Sequence, residues 1–177
     1  MLISDDYRAL NTKMHADDGA WGRQAVKTWE QVHHIAAKCG LKKLLDYGCG
    51  KQMLRQCLEP LGYEVTCYDP AFPETATPPE PHDFVVCMDV LEHIEPECLA
   101  DVLKDLQRVI LDVGFFMVAT RPSIKTLPDG SNCHRIVEPM EWWLKKLSEY
   151  FEIGESLDRK GRVFGVIVGR KKAPSPT

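Results

Sequence analysis

Short apolar runs rich in valine, leucine, phenylalanine and cysteine alternate along this chain with stretches whose apolar residues repeat at helical spacing. A run apolar at every position must be buried on both faces, so the alternation reads as a parallel sheet covered by helices. LKKLLDYG, YEVTCYD, DFVVCMD and VGFFMVAT are the predicted strands. A first helix is predicted over Trp21 to Cys39, with Val26, Trp29, His33 and Ala36 on one face and Gly40 as its stop. The next starts near Lys51 and turns Leu54, Cys57, Leu58 and Leu61 inward before Gly62. After Pro96, the residues Leu99, Val102, Leu103, Leu106, Val109 and Ile110 mark another, and PMEWWLKKLSEYF the last. FEIGESLD and RVFGVIVGRK flank a charged turn with Gly161 and read as a closing antiparallel pair.

A chain of 177 residues suits one domain. Its parts read as an N-terminal segment and helix over 1–40, a core over 41–170 and a disordered tail over 171–177. The net charge of −4 argues against a protein that grips nucleic acid through its backbone. No apolar run reaches membrane-spanning length, and the acidic N-terminal residues, where a signal peptide carries bases, read as no export signal. Of seven cysteines without a CxxC pair, most sit inside apolar stretches and read as buried, reduced thiols of a cytoplasmic protein, and a monomer or homodimer is expected. The adjacent Trp142 and Trp143 cannot share a helix face, so one is expected in the core and the other on a substrate cleft.

The chemistry starts at Asp46-Tyr47-Gly48-Cys49-Gly50, where a buried strand gives way to a helix. Glycines there let the backbone turn tightly and approach a ligand. Asp69, at the tip of the next strand, is placed to accept both hydroxyls of a ribose. The bland alternative is a glycine turn beside a surface acid.

LLDYGCGK resembles motif I of class I S-adenosylmethionine-dependent methyltransferases, and DFVVCMDVLEHI resembles their fourth-strand motif. The closing strand pair resembles their sixth and seventh strands. The resemblance covers about Leu41 to Arg170 and implies a three-layer, Rossmann-like sheet with an antiparallel terminal strand. It implies that Asp46, Gly48, Cys49 and Gly50 cradle the methionine part of the cofactor and Asp69 its ribose, with Pro70 alongside. Met88 and Asp89 then line the pocket near the sulfonium, and the segment before the core, with Tyr7, Met14, His15, Trp21 and Gly22, acts as a lid that adds Trp21 to the cofactor contacts. The chain departs from this family in two places. Gln52 stands where a third glycine is usual, and the proline-rich stretch between Asp69 and Asp83 is too short for a helix and third edge strand. That strand is expected to be missing, with the proline-rich loop, His82 or Asp83 meeting the adenine instead.

Asp89, Glu92 and His93 share one face if a helical turn begins there, and His134 lies just before the last predicted helix. Two carboxylates and an imidazole make half of a divalent-cation site. The layout resembles ubiquinone-pathway O-methyltransferases and small-RNA 2′-O-methyltransferases, which implies metal-assisted attack by a hydroxyl at Asp89, Glu92, His93 and His134. The alternative is an acidic helix start with His93 packed beneath it. His134 or His93 is the expected base, and Arg121 or Lys125 the expected holder of an acidic substrate group. The leading expectation is methyl transfer to a small-molecule hydroxyl or amine by a compact bacterial or phage enzyme. Methylation of a nucleic-acid end and a non-catalytic cofactor-binding scaffold are the alternatives.

Overall fold

The computed structural model describes residues 1–17 and 23–171. The predicted tail beyond Lys171 and the lid residue Trp21 lie outside those residues. The elements in chain order are α1 (Asp5–Asp17), α2 (Arg23–Lys38), β1 (Lys43–Tyr47), α3 (Met53–Leu58), β2 (Glu64–Tyr68) and β3 (His82–Met88). They continue with α4 (Leu99–Val109), β4 (Ile110–Ala119), α5 (Met140–Ser148), β5 (Phe151–Asp158) and β6 (Val163–Arg170).

The six strands form one sheet in the order β2-β1-β3-β4-β6-β5. The first four are parallel, and β6 enters antiparallel to β4, pairing Phe116 with Val166 and Met117 with Gly165. Strict alternation explains why the central runs are apolar throughout. Leu44, Phe84 and Val86 pack beneath Val32 and Ile35 of α2 and Leu54 and Leu58 of α3. Leu45, Val85 and Cys87 pack on the opposite face against Leu103 of α4 and Trp143 of α5. The result is the three-layer arrangement predicted. The third edge strand is missing as expected, so β2 is the sheet edge and the chain returns to β3 through the proline-rich loop.

The differences lie at the margins. The segment before the core holds a helix that the sequence did not show: α1 forms there because Ser4 caps it, its Oγ accepting the Tyr7 N–H at 3.2 Å, and Asp5 and Asp6 complement the helix dipole. Its buried residues, Tyr7, Asn11 and Met14, include a polar one, which hid the helical period. Val26 and Leu61, expected inside, are each 43% exposed. In α2 the inward face is Thr28, Val32, Ile35 and Ala36, while α3 ends early and a 3-10 turn over Glu59–Leu61 rotates Leu61 outward. Most of the cysteines, Cys49, Cys87, Cys98 and Cys133, are buried as expected, while Cys39 is exposed and Cys57 and Cys67 are half-buried.

Gln52 occupies a left-handed conformation, φ 57° and ψ 32°, at the N-cap of α3. The side chain lies along the helix surface, where Arg55 Nη1 donates to its Oε1 at 3.4 Å, and does not line the cleft beside the glycine turn. Gln52→Gly is therefore expected to stabilise the fold by about 1 kcal/mol, by removing left-handed strain, with cofactor affinity unchanged. Chemical denaturation beside a binding titration checks both halves.

Candidate functional site

The chain runs from β1 to β2 on one side of the sheet and to β3 on the other, which opens a crevice at the carboxyl ends of β1 and β3. Two loops form its floor. The Gly48 and Cys49 amides both donate to the Tyr68 carbonyl, at 2.7 and 3.1 Å, which pins the glycine loop to the tip of β2. Gly48 has φ +81°, and a Cβ built there would lie 2.4 Å from Cγ2 of Val90. The missing side chain is thus what lets the loop leaving β3 pack against the loop leaving β1.

Asp69 accepts the Gly50 N–H on Oδ2 at 3.0 Å and the Ala71 N–H on Oδ1 at 2.9 Å. Burial pushes its carboxyl up, and the two amide bonds partly counter that shift. Each oxygen keeps a lone pair, so ribose hydroxyls can still be accepted. The cleft encloses about 970 Å³ of empty space, part of it open to solvent, and its walls include Gly48, Cys49, Gly50, Asp69, Pro70, Met88 and Asp89. These are the cofactor residues the sequence assigned, with two exceptions. Trp21 lies outside the described residues. Asp46 is not on the cleft wall: it is 5% exposed, and burial first, then the Cys67 and Asp69 charges, push its carboxyl well above the usual range.

Several cleft residues went unread as site residues in the sequence, Ala25 and Val102 among them. Leu2, Ile3 and Asn11 come from the N-terminal helical segment, and Glu95 from the loop before α4. A Ser-x-x-Tyr start followed by Asn11 was the available signal for α1. His82 and Asp83 do not line the cleft. They open β3 at its amino end, away from the cleft, where the His82 ring bonds the Glu80 carbonyl and Thr66 Oγ1. Of the proline-rich loop, Pro70 and Ala71 line the cleft. Trp143 is core as predicted, but Trp142 lines a separate groove with Arg135 and Lys146 rather than this cleft.

Beside the cleft, Asp89, Glu92, His93 and His134 each offer a ligand atom within 4.8 Å of the others. The turn that places them is 3-10 over Leu91–His93 rather than the start of an α-helix, and Asp89 precedes it in a left-handed conformation, φ 59°. Both imidazoles are oriented by backbone carbonyls. His93 Nδ1 lies 2.9 Å from the Cys133 carbonyl and His134 Nδ1 lies 2.6 Å from the Arg121 carbonyl. Those bonds put the proton on Nδ1 in each ring and leave Nε2 as the ligating nitrogen, the support metal-binding histidines usually have. Arg121 therefore serves through its carbonyl, while its side chain is on the surface.

Glu92 is 0% exposed. Its Oε1 accepts the Ala119 N–H at 2.7 Å, and its carbonyl accepts the amides of Arg135 and Ile136 at 2.7 and 3.0 Å. Through these bonds it ties the end of β4 to the segment bearing His134. Glu92 Oε2 has no donor. Burial, then the nearby Asp89 charge, hold the Glu92 carboxyl well above its usual range. His93 is pushed down to about 4, chiefly by burial, and so is neutral at neutral pH.

Comparison with known proteins agrees with this geometry. A family model described as a methyltransferase domain matches residues 22–151. A search of curated proteins finds no sequence match. Among solved structures, the chain resembles the 1,6-didemethyltoxoflavin-N1-methyltransferase of Burkholderia thailandensis, solved with 1,6-didemethyltoxoflavin and S-adenosylhomocysteine, at a TM-score of 0.70 and 16% identity. The match covers 94% of this chain and 90% of that one. The N-methyltransferase NodS of Bradyrhizobium japonicum, with bound S-adenosylhomocysteine, matches at 0.67 and 14% identity over 96% of this chain and 100% of that one. Magnesium protoporphyrin IX methyltransferase from Synechocystis, also with S-adenosylhomocysteine, matches at 0.59 and 16% identity over 82% of this chain and 83% of that one. With the family model spanning most of its length and the sheet closing on an antiparallel strand, this chain belongs to the methyltransferase-domain family and has the class I S-adenosylmethionine-dependent fold.

Proposed function

We propose that this chain transfers the methyl group of S-adenosylmethionine to a small-molecule acceptor, a hydroxyl in preference to an amine, beside a divalent cation. The carrying observation is that Asp89 and His93 belong both to the cleft wall and to the four-donor cluster. The donor set fits a cation. It holds two imidazoles with their tautomers fixed, a surface carboxylate and a buried carboxylate oxygen that lacks a donor. Mixed nitrogen and oxygen donors suit manganese, iron or zinc better than calcium.

The methyl group moves in line from sulfur to the acceptor oxygen, so alignment of the two reactants is the main task, worth up to about 7–11 kcal/mol. The glycine loop and Asp69 hold the donor, and α1 with Tyr7 and Asn11 shields the cleft from water. A cation held by Asp89, Glu92, His93 and His134 would act as a Lewis acid that acidifies the acceptor hydroxyl. His93, neutral at working pH, offers its Nε2 lone pair without first losing a proton.

Calorimetric titration with S-adenosylhomocysteine, with NAD as control, tests the cofactor half. Binding of the first alone is expected, and Asp69→Ala should weaken it by about 1–3 kcal/mol. Absence of S-adenosylhomocysteine binding would remove the function. With an acceptor in hand, a chelator and His134→Ala should each suppress turnover, and full activity in chelator would remove the cation.

A further inference from the structure

Helix α1 touches both halves of the site. Tyr7 and Asn11 of α1, with Leu2 and Ile3 just ahead of it, form one wall of the cofactor cleft. Thr12 Oγ1 donates to the Ala71 carbonyl at 3.0 Å, and the Ala71 amide donates to the Asp69 carboxylate. On the other side Tyr7 Oη donates to the His93 carbonyl at 2.6 Å. The Cys133 thiol meets Met14 Sδ at 3.4 Å, and the Cys133 carbonyl is the group that orients the His93 ring. A third tie is the Ser4 cap, whose N–H and Oγ both donate to Glu95, at 2.9 and 2.6 Å.

A thirteen-residue helix is marginal in isolation. Its docking rests on these contacts and on three buried side chains, Tyr7, Asn11 and Met14. A ligand that fills the cleft adds contacts to the docked helix. The docked helix in turn holds the His93 backbone and, through Cys133, its ring. We infer that α1 couples the two halves of the site, so that occupation of the cofactor cleft tightens divalent-cation binding at the Asp89–Glu92–His93–His134 cluster, with Tyr7 as the positioning residue that carries the coupling. By linkage the cation tightens the cofactor by the same factor. This inference rests on the proposed cofactor and cation, and its test separates the three.

Manganese binding is measured by calorimetry on the full chain, with and without saturating S-adenosylhomocysteine. The ligand is expected to tighten manganese by about fivefold or more, the usual lower range of such coupling. In Tyr7→Phe both ligands should still bind, with that ratio falling toward one. Ser4→Ala, which removes the cap and one bond to Glu95, should lower the ratio as well and serves if the Tyr7 variant does not fold. His134→Ala should lose manganese while keeping S-adenosylhomocysteine. Equal manganese affinity with and without the cofactor product overturns the coupling and leaves the proposed function standing. A ratio unchanged in both Tyr7→Phe and Ser4→Ala overturns the role of α1. No manganese binding under either condition removes the cation and this inference together, while the methyl-donor half survives on its own titration.

Discussion

Replacing Gly48 by alanine is expected to destabilise the chain by about 2–4 kcal/mol and to lower S-adenosylhomocysteine affinity at least about tenfold. Two costs add. The residue has φ +81°, where a Cβ is strained, and that Cβ would lie 2.4 Å from Val90 Cγ2 and 3.0 Å from its Cγ1. Relief requires the glycine loop and the loop leaving β3 to move apart, and those loops are the floor of the cleft. The double variant Gly48→Ala with Val90→Ala separates the costs. Removing the valine methyls takes away the clash but not the backbone strain, so part of the stability should return. Denaturant unfolding of the four members of that cycle gives the interaction energy. A Gly48→Ala chain with the parent's midpoint and affinity would mean that close packing of the two loops does not shape the cleft.

Glu92→Gln is expected to raise the stability of the cation-free chain at pH 8 by about 1–3 kcal/mol while abolishing manganese binding. The glutamine keeps an oxygen for the Ala119 N–H and puts an amide nitrogen, a donor, in place of the unpaired Oε2 and near the Asp89 carboxylate. The sign follows from the raised Glu92 pKa. Between the ordinary value of 4.5 and its higher native value the folded chain holds a proton that the unfolded chain has released, so this group's contribution falls as pH rises. The gain from Glu92→Gln should therefore grow with pH above about 4.5 and vanish below it. His93 contributes the opposite limb. Burial holds its native pKa near 4 against an ordinary 6.5, so the unfolded chain binds a proton first and stability falls as pH drops through that interval. That limb should persist in the Glu92→Gln variant. A stability-versus-pH series on both proteins checks the pair. If the variant loses stability at pH 8, Glu92 is a structural brace rather than a strained ligand.

The strands, the layers and the missing edge strand were all legible in the chain, because each follows from local information. Runs apolar at every position can only be doubly covered strands, and the stretch between Asp69 and Asp83 cannot hold another helix and strand. The glycine loop and Asp69 were legible for the same reason, since a strand end, a turn and the next strand tip lie side by side in any parallel sheet. What the sequence could not settle depends on contacts between distant segments. Helix α1 hides its period because its buried face includes Asn11 and is completed by Leu127 and Cys133 from far along the chain. Asp46 satisfies the motif yet is buried and does not line the cleft, and Gln52 departs from it yet turns outward, because the loop's path rather than its composition sets where each side chain goes. His93 and His134 were suspected from spacing alone. Only the fold supplied the Cys133 and Arg121 carbonyls that fix their tautomers and the Glu92 bonds that hold the two segments together. Local pattern determined the sheet and the donor-binding end, and long-range packing decided which buried acid, which imidazole nitrogen and which helix complete the site.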